Sequence, residues 1–199
     1  MSNEIREPKQ SRSIDKKNRI IHAGYELFSE IGYYNTTTAE IARRAGVSTG
    51  IVYGYFKDKR DILSDVLEIY IEKTFEPFFN MFGGAAVPLN YEKLFSTIVD
   101  KAIEAHNKNS KIHEVLHSMT HTDEEISKKF LSLEDDITLK FAEKLKNAGV
   151  ETSNPYEKIH LAMNLVQSFA HEYVYDKHAY IDYGAMRRQV INILTSLFL

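Results

Sequence analysis

Hydroxyl groups and a glycine lie together at Ser48, Thr49 and Gly50, directly after a turn marked by Gly46. The turn separates two short segments with helical apolar spacing, which predicts a helix-turn-helix over residues 37–59. In such a motif the second helix enters the major groove of DNA, and the residues at its N-terminus reach the base edges. Serine and threonine hydroxyls can donate to or accept from bases, and a glycine lets the backbone approach closely. We therefore predict that these three residues contact bases.

Two tyrosines and a lysine follow in the same segment. Tyr53 and Tyr55 are two positions apart in a helical pattern, so they cannot both face the core and at least one is exposed. Lys59 begins the next helix. Side chains of these types suit contacts with DNA phosphates, which position a protein on the duplex without reading its sequence. We predict such contacts for all three residues.

A row of histidines is the other pattern with chemical potential. His113, His117 and His121 recur every four residues and therefore share one face of a helix. Neutral imidazoles at this spacing can bind a transition metal. No carboxylate stands beside them at ligand spacing, so we predict neither a metal site nor a cofactor, and the protein is not expected to be an enzyme. A helical metal-dependent enzyme that uses this row is the alternative function.

Helices must position these residues, because helical periodicity dominates the chain and no stretch alternates like a strand. The fold class is predicted to be all-α with about nine helices. Pro77 is expected to kink or end the fourth helix near 75–82, and residues 83–90 are expected to form a linker. The predicted helices cover 14–31, 37–45, 48 to 55 or 56, 58 to about 82, 91–107, 111–120, 123–147, 155–177 and 183–198.

Capping residues set several of these boundaries. Thr37 with Glu40, and Thr122 with Glu125, have the spacing of capping boxes. Gly46 suits the left-handed position that closes a helix. The remaining predicted helix starts are Ser48, Asp58, Asn90, Ser110, Asn154 before a proline, and Asp182.

Composition limits the class of protein. The chain has 199 residues, of which 43% are hydrophobic and 27% charged, as in a globular protein with a substantial core. The absence of cysteine excludes disulfides and thiolate metal sites. No run approaches the roughly 18–20 apolar residues that span a bilayer. The polar N-terminus does not resemble a secretory signal. A cytoplasmic protein without membrane contact is expected.

Charge is distributed unevenly, although the net charge is only −3. Residues 1–60 hold eleven Lys and Arg against seven Asp and Glu, a balance of +4, and the remainder is at −7. A basic end favours a polyanionic partner. The N-terminal arm either contacts phosphates and the minor groove or is a solvated tail; its basic residues are Lys9, Arg12, Lys16, Lys17 and Arg19.

Residues 16–63 resemble the DNA-binding domain of TetR-family transcriptional regulators. The first helix ends in F28-x-x-x-G32-Y33, and T36-T37-T38-A39-E40-I41-A42, A45-G46-V47-S48, G50-x-x-Y53-x-Y55-F56-K57-D58-K59 and I62-L63 follow. The resemblance implies a homodimeric, ligand-responsive regulator, most often a repressor. It also implies DNA contacts at Thr37, Thr49, Tyr53, Tyr55 and Lys59, to which we add Thr38. Ala39 replaces a base-reading arginine of the tetracycline repressor, so specificity is expected to depend on the third helix.

The resemblance divides the chain into a DNA-binding domain at 1–60 and an effector-binding and dimerisation domain at 61–199. The apolar and aromatic residues expected to contact a small-molecule effector are Phe95, His117, Met119, Phe130, Met163, Phe169 and Tyr173. Helices 155–177 and 183–198 are expected to form a four-helix bundle across a two-fold axis. The positions assigned to that bundle are Met163, Val166, Ala170, Met186, Val190, Ile193 and Leu197.

The expected mechanism is release from a palindromic DNA operator. Two helix-turn-helix units about 34–36 Å apart would enter successive major grooves. An effector that binds the DNA-incompetent state better would weaken operator binding, roughly 5–150-fold for a typical coupling. A DNA-binding protein that needs no effector is the remaining alternative.

Overall fold

The computed structural model describes residues 11–81 and 90–199. Within these ranges the chain forms nine α-helices and no strand, which confirms the predicted all-α class. The helices are α1 (Ser11–Glu30), α2 (Thr38–Ala45), α3 (Thr49–Tyr53), α4 (Lys59–Met81), α5 (Tyr91–Lys108), α6 (Ser110–Thr122), α7 (Glu124–Asn147), α8 (Pro155–Tyr175) and α9 (Tyr183–Phe198). Lys9 and most of the expected linker, residues 83–89, lie outside the described residues.

Several helix ends form as their sequences predict. The Glu40 amide donates to the Thr37 hydroxyl at 3.2 Å, and the Thr37 amide donates to the Glu40 carboxylate at 2.8 Å, which completes the capping box of α2. Gly46 closes α2 with a φ of 66°, a left-handed conformation that costs a glycine nothing. Asn90 and Asp182 cap α5 and α9 through side-chain oxygens.

Other helix starts differ from the predictions. Ser110 is the first residue of α6 rather than its cap, and Asn109 precedes it. Thr122 belongs to the last turn of α6, where its hydroxyl donates to the Ser118 carbonyl. The Asp123 carboxylate caps α7 instead, because it accepts from two backbone amides of the first turn. The second predicted capping box is therefore wrong by one residue.

The boundary of the third helix also differs, whereas that of the fourth agrees with its prediction of 58 to about 82. The helix α3 ends at Tyr53 rather than at 55 or 56, and the Ser48 side chain makes no capping hydrogen bond. The helix α4 continues through Pro77 to Met81, so Pro77 does not end it. Phe75 and Phe78, on either side of the proline, are buried. Their packing favours continuation of the helix where the proline removes one backbone donor.

The chain divides into two compact units. Unit 1 contains the residues up to Lys73 together with Asn109–Leu133, and unit 2 contains Thr74–Lys108 and Glu134–Leu199. Packing thus places the first part of α4, all of α6 and the start of α7 with the N-terminal helices, beyond the domain boundary expected at residue 60. The apolar side chains fully buried in unit 1 include Ile20, Phe28, Ile41, Val52, Ile62, Leu63, Ile112 and Ile126, and those in unit 2 include Phe169 and Leu194.

No helix in the described ranges is long and apolar enough to cross a membrane.

Candidate nucleic-acid interface and ligand cavity

The helices α2 and α3 form a helix-turn-helix within unit 1. Their inner faces bury Ile41, Ala42, Ala45 and Val52. The Val47 amide donates to the Ala42 carbonyl at 3.0 Å and fixes the turn between the helices. The opposite face of α3 is therefore free of packing within unit 1.

Ser48, Thr49 and Gly50 lie on that outer face. Ser48 and Gly50 are exposed, and Thr49 is partly exposed. A Cβ atom built on Gly50 would meet nothing closer than the Ser48 Oγ at 4.0 Å. The fold of the described residues therefore does not need a glycine at position 50. A glycine that the fold does not need is consistent with close approach by an external partner.

The tyrosine at position 53 joins the two helices of the motif on their exposed side. Its side chain is 44% exposed, and its hydroxyl pairs with the Thr38 hydroxyl at 3.0 Å. The Thr37 hydroxyl donates to Glu40 within the capping box. Thr38 and Tyr53, predicted separately as DNA contacts, are thus held together as one pair of hydroxyls.

Tyr55 and Lys59 have structural partners that the sequence does not reveal. The Tyr55 hydroxyl pairs with the Ser13 hydroxyl of α1 at 2.6 Å. The Lys59 ammonium donates to the backbone carbonyls of Tyr33 at 2.6 Å and Thr36 at 2.8 Å. It also lies 4.3 Å from the centre of the Tyr33 ring, and burial lowers the pKa of Lys59. Lys59 therefore holds the turn between α1 and α2.

The basic residues around the motif differ in their surroundings. Arg44 makes ion pairs with Glu30 and Glu26 of α1. In the N-terminal arm, Lys17 pairs with Asp65 at 2.7 Å, and Arg19 pairs with Asp15. The exposed basic residues for which the described part of the chain provides no ion pair are Arg12, Lys16, Arg43 and Lys57. The sequence patterns did not single out Arg43 and Lys57 as site residues.

Charged side chains attach α6 and the start of α7 to α4 and α1 within unit 1. Arg60 of α4 donates to both Asp123 oxygens, at 2.5 and 2.6 Å, and to Glu125 at 2.9 Å. These hydrogen bonds, chiefly those from Arg60, lower the pKa of Asp123 to about 2. Lys111 donates to the Glu30 carbonyl at the end of α1. Unit 1 is therefore held together by more than its apolar core.

The histidine row lies wholly within α6. His113 is partly buried, and its Nδ1 pairs with the Tyr70 hydroxyl at 2.7 Å. His117 and His121 are exposed, and the ring centres along the row are 5.8 and 5.1 Å apart. The predicted end of α6 at residue 120 is wrong, because the helix continues to Thr122 and includes His121.

Unit 2 contains a cavity of about 90 Å³. Of the seven residues predicted to contact an effector, Phe95 and Met163 line it. Phe169 and Tyr173 lie elsewhere in unit 2, where their rings pack together. His117, Met119 and Phe130 belong to unit 1 and do not line the cavity. The wall includes aromatic residues that the sequence did not indicate: Phe75, Phe78, Tyr91, Phe141 and Phe198.

The helices α8 and α9 have both buried and exposed apolar residues. Val166, Ala170 and Val190, assigned to a dimer bundle, are buried within unit 2, and Met163 lines the cavity. Ile193 is 52% exposed and Leu161, which was not assigned, is 55% exposed. Helical spacing alone does not tell which of two apolar stripes packs inside the protomer.

Comparison with known proteins gives the same picture for the N-terminal segment. Residues 20–66 match the family model described as bacterial regulatory proteins, tetR family. Over 60 residues the chain is 52% identical to the HTH-type transcriptional regulator HbdR of Aromatoleum sp. (strain CIB), which is 28% of this chain and 26% of that protein. Over 56 residues it is 45% identical to the Escherichia coli regulator BetI, which is 28% of this chain and 29% of BetI. The match thus spans little more than a quarter of the length of these curated relatives.

Solved structures share the fold over most of the chain. A protein described as a TetR-family transcriptional regulator from Mesorhizobium loti superposes with a TM-score of 0.69 at 19% identity, covering 94% of this chain and 97% of its own. A transcriptional regulator from Saccharomonospora viridis, solved in complex with choline, gives 0.64 at 16% identity with the same coverage. The predicted resemblance to TetR-family regulators is confirmed for the N-terminal segment by sequence and for the fold by structure.

Proposed function

We propose that this chain, which carries the N-terminal segment and the fold of TetR-family regulators, is a transcriptional regulator that a small molecule releases from its DNA operator. The observation that carries the proposal is the outer face of α3, where Ser48, Thr49 and Gly50 are accessible while the inner face of the motif is buried. Residues in this position reach base edges when a recognition helix enters the major groove.

The relatives favour this proposal over the alternatives. They are named as transcriptional regulators, and none of those reported above is named as an enzyme. The metal-dependent enzyme therefore has no support from them. The cavity in unit 2, together with the choline bound by the structural neighbour, favours an effector-responsive regulator over one that needs no ligand. Repression is the expected output, and the protein would act in the cytoplasm.

In this proposal residues 1–60 contact DNA, and residues 61–199 bind the effector and form the dimer. Two copies would present two recognition helices to a palindromic operator. The DNA contacts proposed are Thr37, Thr38, Ser48, Thr49, Gly50, Tyr53 and Tyr55, whereas Lys59, which the sequence predicts as a further contact, is proposed to act through the fold. Tyr55 already hydrogen-bonds to α1, and Lys59 to the turn after α1, in the absence of DNA. Any contact of either residue with phosphate would be additional to these bonds.

Gly50→Ala tests the site without disturbing the fold. The added methyl group has space within the chain, and alanine favours a helix by up to about 1 kcal/mol over glycine. The methyl group would, however, keep the backbone of α3 away from the base edges. We expect an unchanged or higher melting temperature and a loss of at least tenfold in operator affinity. An operator selected with the wild-type protein from a library of random duplexes provides the substrate for fluorescence anisotropy.

Gly184→Ala is the control for the same change at the second residue of a helix outside the motif; its Cβ would lie 3.1 Å from the Asp182 Oδ1 that caps α9, so its melting temperature is measured as well. It should leave operator affinity unchanged. Equal affinity of wild type and Gly50→Ala for the selected operator would contradict the docking of α3. Failure of the wild type to enrich any duplex would contradict the proposed function itself.

A further inference from the structure

Charged side chains are missing from the wall of the unit 2 cavity. Among the described residues that line it, none is an aspartate, glutamate, lysine or arginine. Six aromatic rings and a set of aliphatic side chains form most of the surface. The polar side chains in the wall are Thr74, Tyr91, His106 and Gln167. A ligand that fits this wall is mostly apolar and has few groups to hydrogen-bond.

Among the polar residues of the wall, Thr74 has a side chain whose hydrogen bonding is incomplete. Its Oγ1 is buried and has no hydrogen-bond partner among the described residues. A helical threonine can return its hydroxyl to the carbonyl four residues earlier, as Thr138 does to Glu134 at 2.9 Å. Burial of an unpaired hydroxyl is unfavourable, because the group has lost its bonds to water without replacement. The oxygen has almost no surface open to the cavity in its present rotamer, so a ligand with a complementary polar group would restore the hydrogen bond once the Thr74 side chain rotates about χ1.

We propose that the cavity binds a small uncharged molecule, mostly apolar, whose single hydroxyl or carbonyl group hydrogen-bonds with Thr74 Oγ1. The identification of this molecule as the effector rests on the proposed function. The cavity of about 90 Å³ limits its size, since an apolar cavity of about 150 Å³ in another protein accepts benzene. A short chain is therefore the appropriate scale for the cavity as it stands, and a single ring fits where displacement of the flexible Met163 side chain enlarges the space.

A cationic ligand is the competing chemistry. Aromatic rings attract quaternary ammonium groups, and the structural neighbour from Saccharomonospora viridis binds choline. A cation in this cavity, however, would lose its hydration without a carboxylate in the described wall to replace it. An uncharged ligand avoids that cost. The structure therefore favours the uncharged molecule.

Three probes that share a benzyl group separate these possibilities: benzyl alcohol, toluene and the benzyltrimethylammonium cation, with neopentylbenzene as the uncharged control for the size of the cation. Their affinities are measured by isothermal titration calorimetry on the full chain. We expect the wild type to bind benzyl alcohol about tenfold more tightly than toluene, the size of one hydrogen bond. Benzyltrimethylammonium should bind more weakly than either.

Two variants complete the test. Thr74→Val removes the hydroxyl at nearly constant shape, so the tenfold preference for benzyl alcohol over toluene should disappear. Thr195→Val is the matched control. The Thr195 hydroxyl is also buried and has no hydrogen-bond partner among the described residues, but Thr195 does not line the cavity. That variant should keep the preference. The comparison is a double-mutant cycle between one protein hydroxyl and one ligand hydroxyl.

The results separate this inference from the proposed function. Tighter binding of the cation, a preference for benzyl alcohol that survives Thr74→Val, or no binding of any probe would each overturn the ligand proposal, even where the operator test succeeds. The expected pattern of probe affinities without any operator binding would overturn the regulator while leaving the ligand assignment intact. Anisotropy with the selected operator is measured on the same preparations.

Discussion

The lysine at position 59 shows how one residue can be explained in two ways. Its position at the start of α4 predicts a phosphate contact, yet its ammonium donates to the carbonyls of Tyr33 and Thr36. An ammonium has three donors, and two of them are used within the chain. The residue therefore stabilises the turn that precedes α2 whether or not DNA is present.

Lys59→Met keeps the aliphatic stem and removes both hydrogen bonds. We expect a loss of about 1–3 kcal/mol in the free energy of unfolding, since bonds from a charged donor are the stronger kind. That corresponds to about 2–4 °C in melting temperature per kcal/mol for a protein of this size. Differential scanning calorimetry provides the measurement. The dependence of operator affinity on salt concentration should not change.

Lys57→Met is the control for Lys59→Met, because Lys57 is exposed and two residues away. The melting temperature of the Lys57→Met variant should equal that of the wild type. A phosphate role for Lys59 predicts the reverse pattern: unchanged stability in Lys59→Met, and a salt slope reduced by about one. That pattern would contradict the structural role assigned here.

At the scale of elements, local rules predict most of the helices. Thr37, Gly46, Asn90 and Asp182 act through their own side chains or backbone within one turn, so their sequences suffice. Pro77 lies inside α4, whose end at Met81 falls within the predicted range 75–82, and buried phenylalanines on both sides accompany the four residues that follow the proline. Tertiary packing overrides propensity in such cases.

The same limit applies to the candidate sites. The exposure of residues 48–50 at the start of α3 follows from the sequence, because one short contiguous motif contains all of them. The cavity was not, because its wall is assembled from five helices that lie far apart in the chain. Phe95 and Met163 share an apolar character with Phe169, which packs elsewhere. Amino-acid type alone does not show whether an apolar residue lines the cavity or packs in the core of unit 2.

The start of α7 combines a helix cap with an ion pair, which predicts a dependence of stability on pH. Asp123 caps α7 and accepts from Arg60, so its pKa falls to about 2 from an ordinary value near 3.8. A lowered carboxylate pKa stabilises the folded state above the ordinary value and loses that effect as the pH falls towards the folded value. The stabilisation is therefore complete above about pH 4 and declines between pH 4 and pH 2.

Asp123→Asn removes the charge and keeps a good cap, because asparagine caps helices as well as aspartate does. We expect it to lower the free energy of unfolding by about 1 kcal/mol at pH 7 and pH 5, after allowance for solvent screening. The difference from wild type should shrink at pH 3. Urea unfolding at fixed protein concentration measures it. Glu125→Gln is the control, because Glu125 is a more exposed partner of Arg60, and it should change the free energy of unfolding little at any pH. A difference between Asp123→Asn and wild type that stays constant from pH 7 to pH 3 would contradict an ion pair as the origin of the stabilisation.

At the scale of the whole molecule, the proposed function requires a second copy of the chain. The balance of +4 within residues 1–60 favours DNA at that end, but a single helix-turn-helix contacts only one half-site. Part of the apolar surface assigned to dimerisation is already buried inside unit 2, as Val166 and Val190 are. The remaining exposed surface of α8 and α9 is thus the one on which the dimer proposal depends, with Leu161 and Ile193 as its large apolar residues.

Ile193→Asp tests that surface, because a charge at the centre of an apolar contact would be buried without a partner. We expect the variant to sediment as a monomer at micromolar concentration, where the wild type sediments as a dimer. Its operator affinity should fall by a factor of about 100 or more, because the second half-site no longer binds as part of one molecule. Leu139→Asp is the control, because Leu139 is similarly exposed (54%) but belongs to α7, and its variant should remain dimeric. A dimer that survives Ile193→Asp but not Leu139→Asp would move the two-fold axis to α7, and a wild type that sediments as a monomer would exclude the palindromic mode of binding.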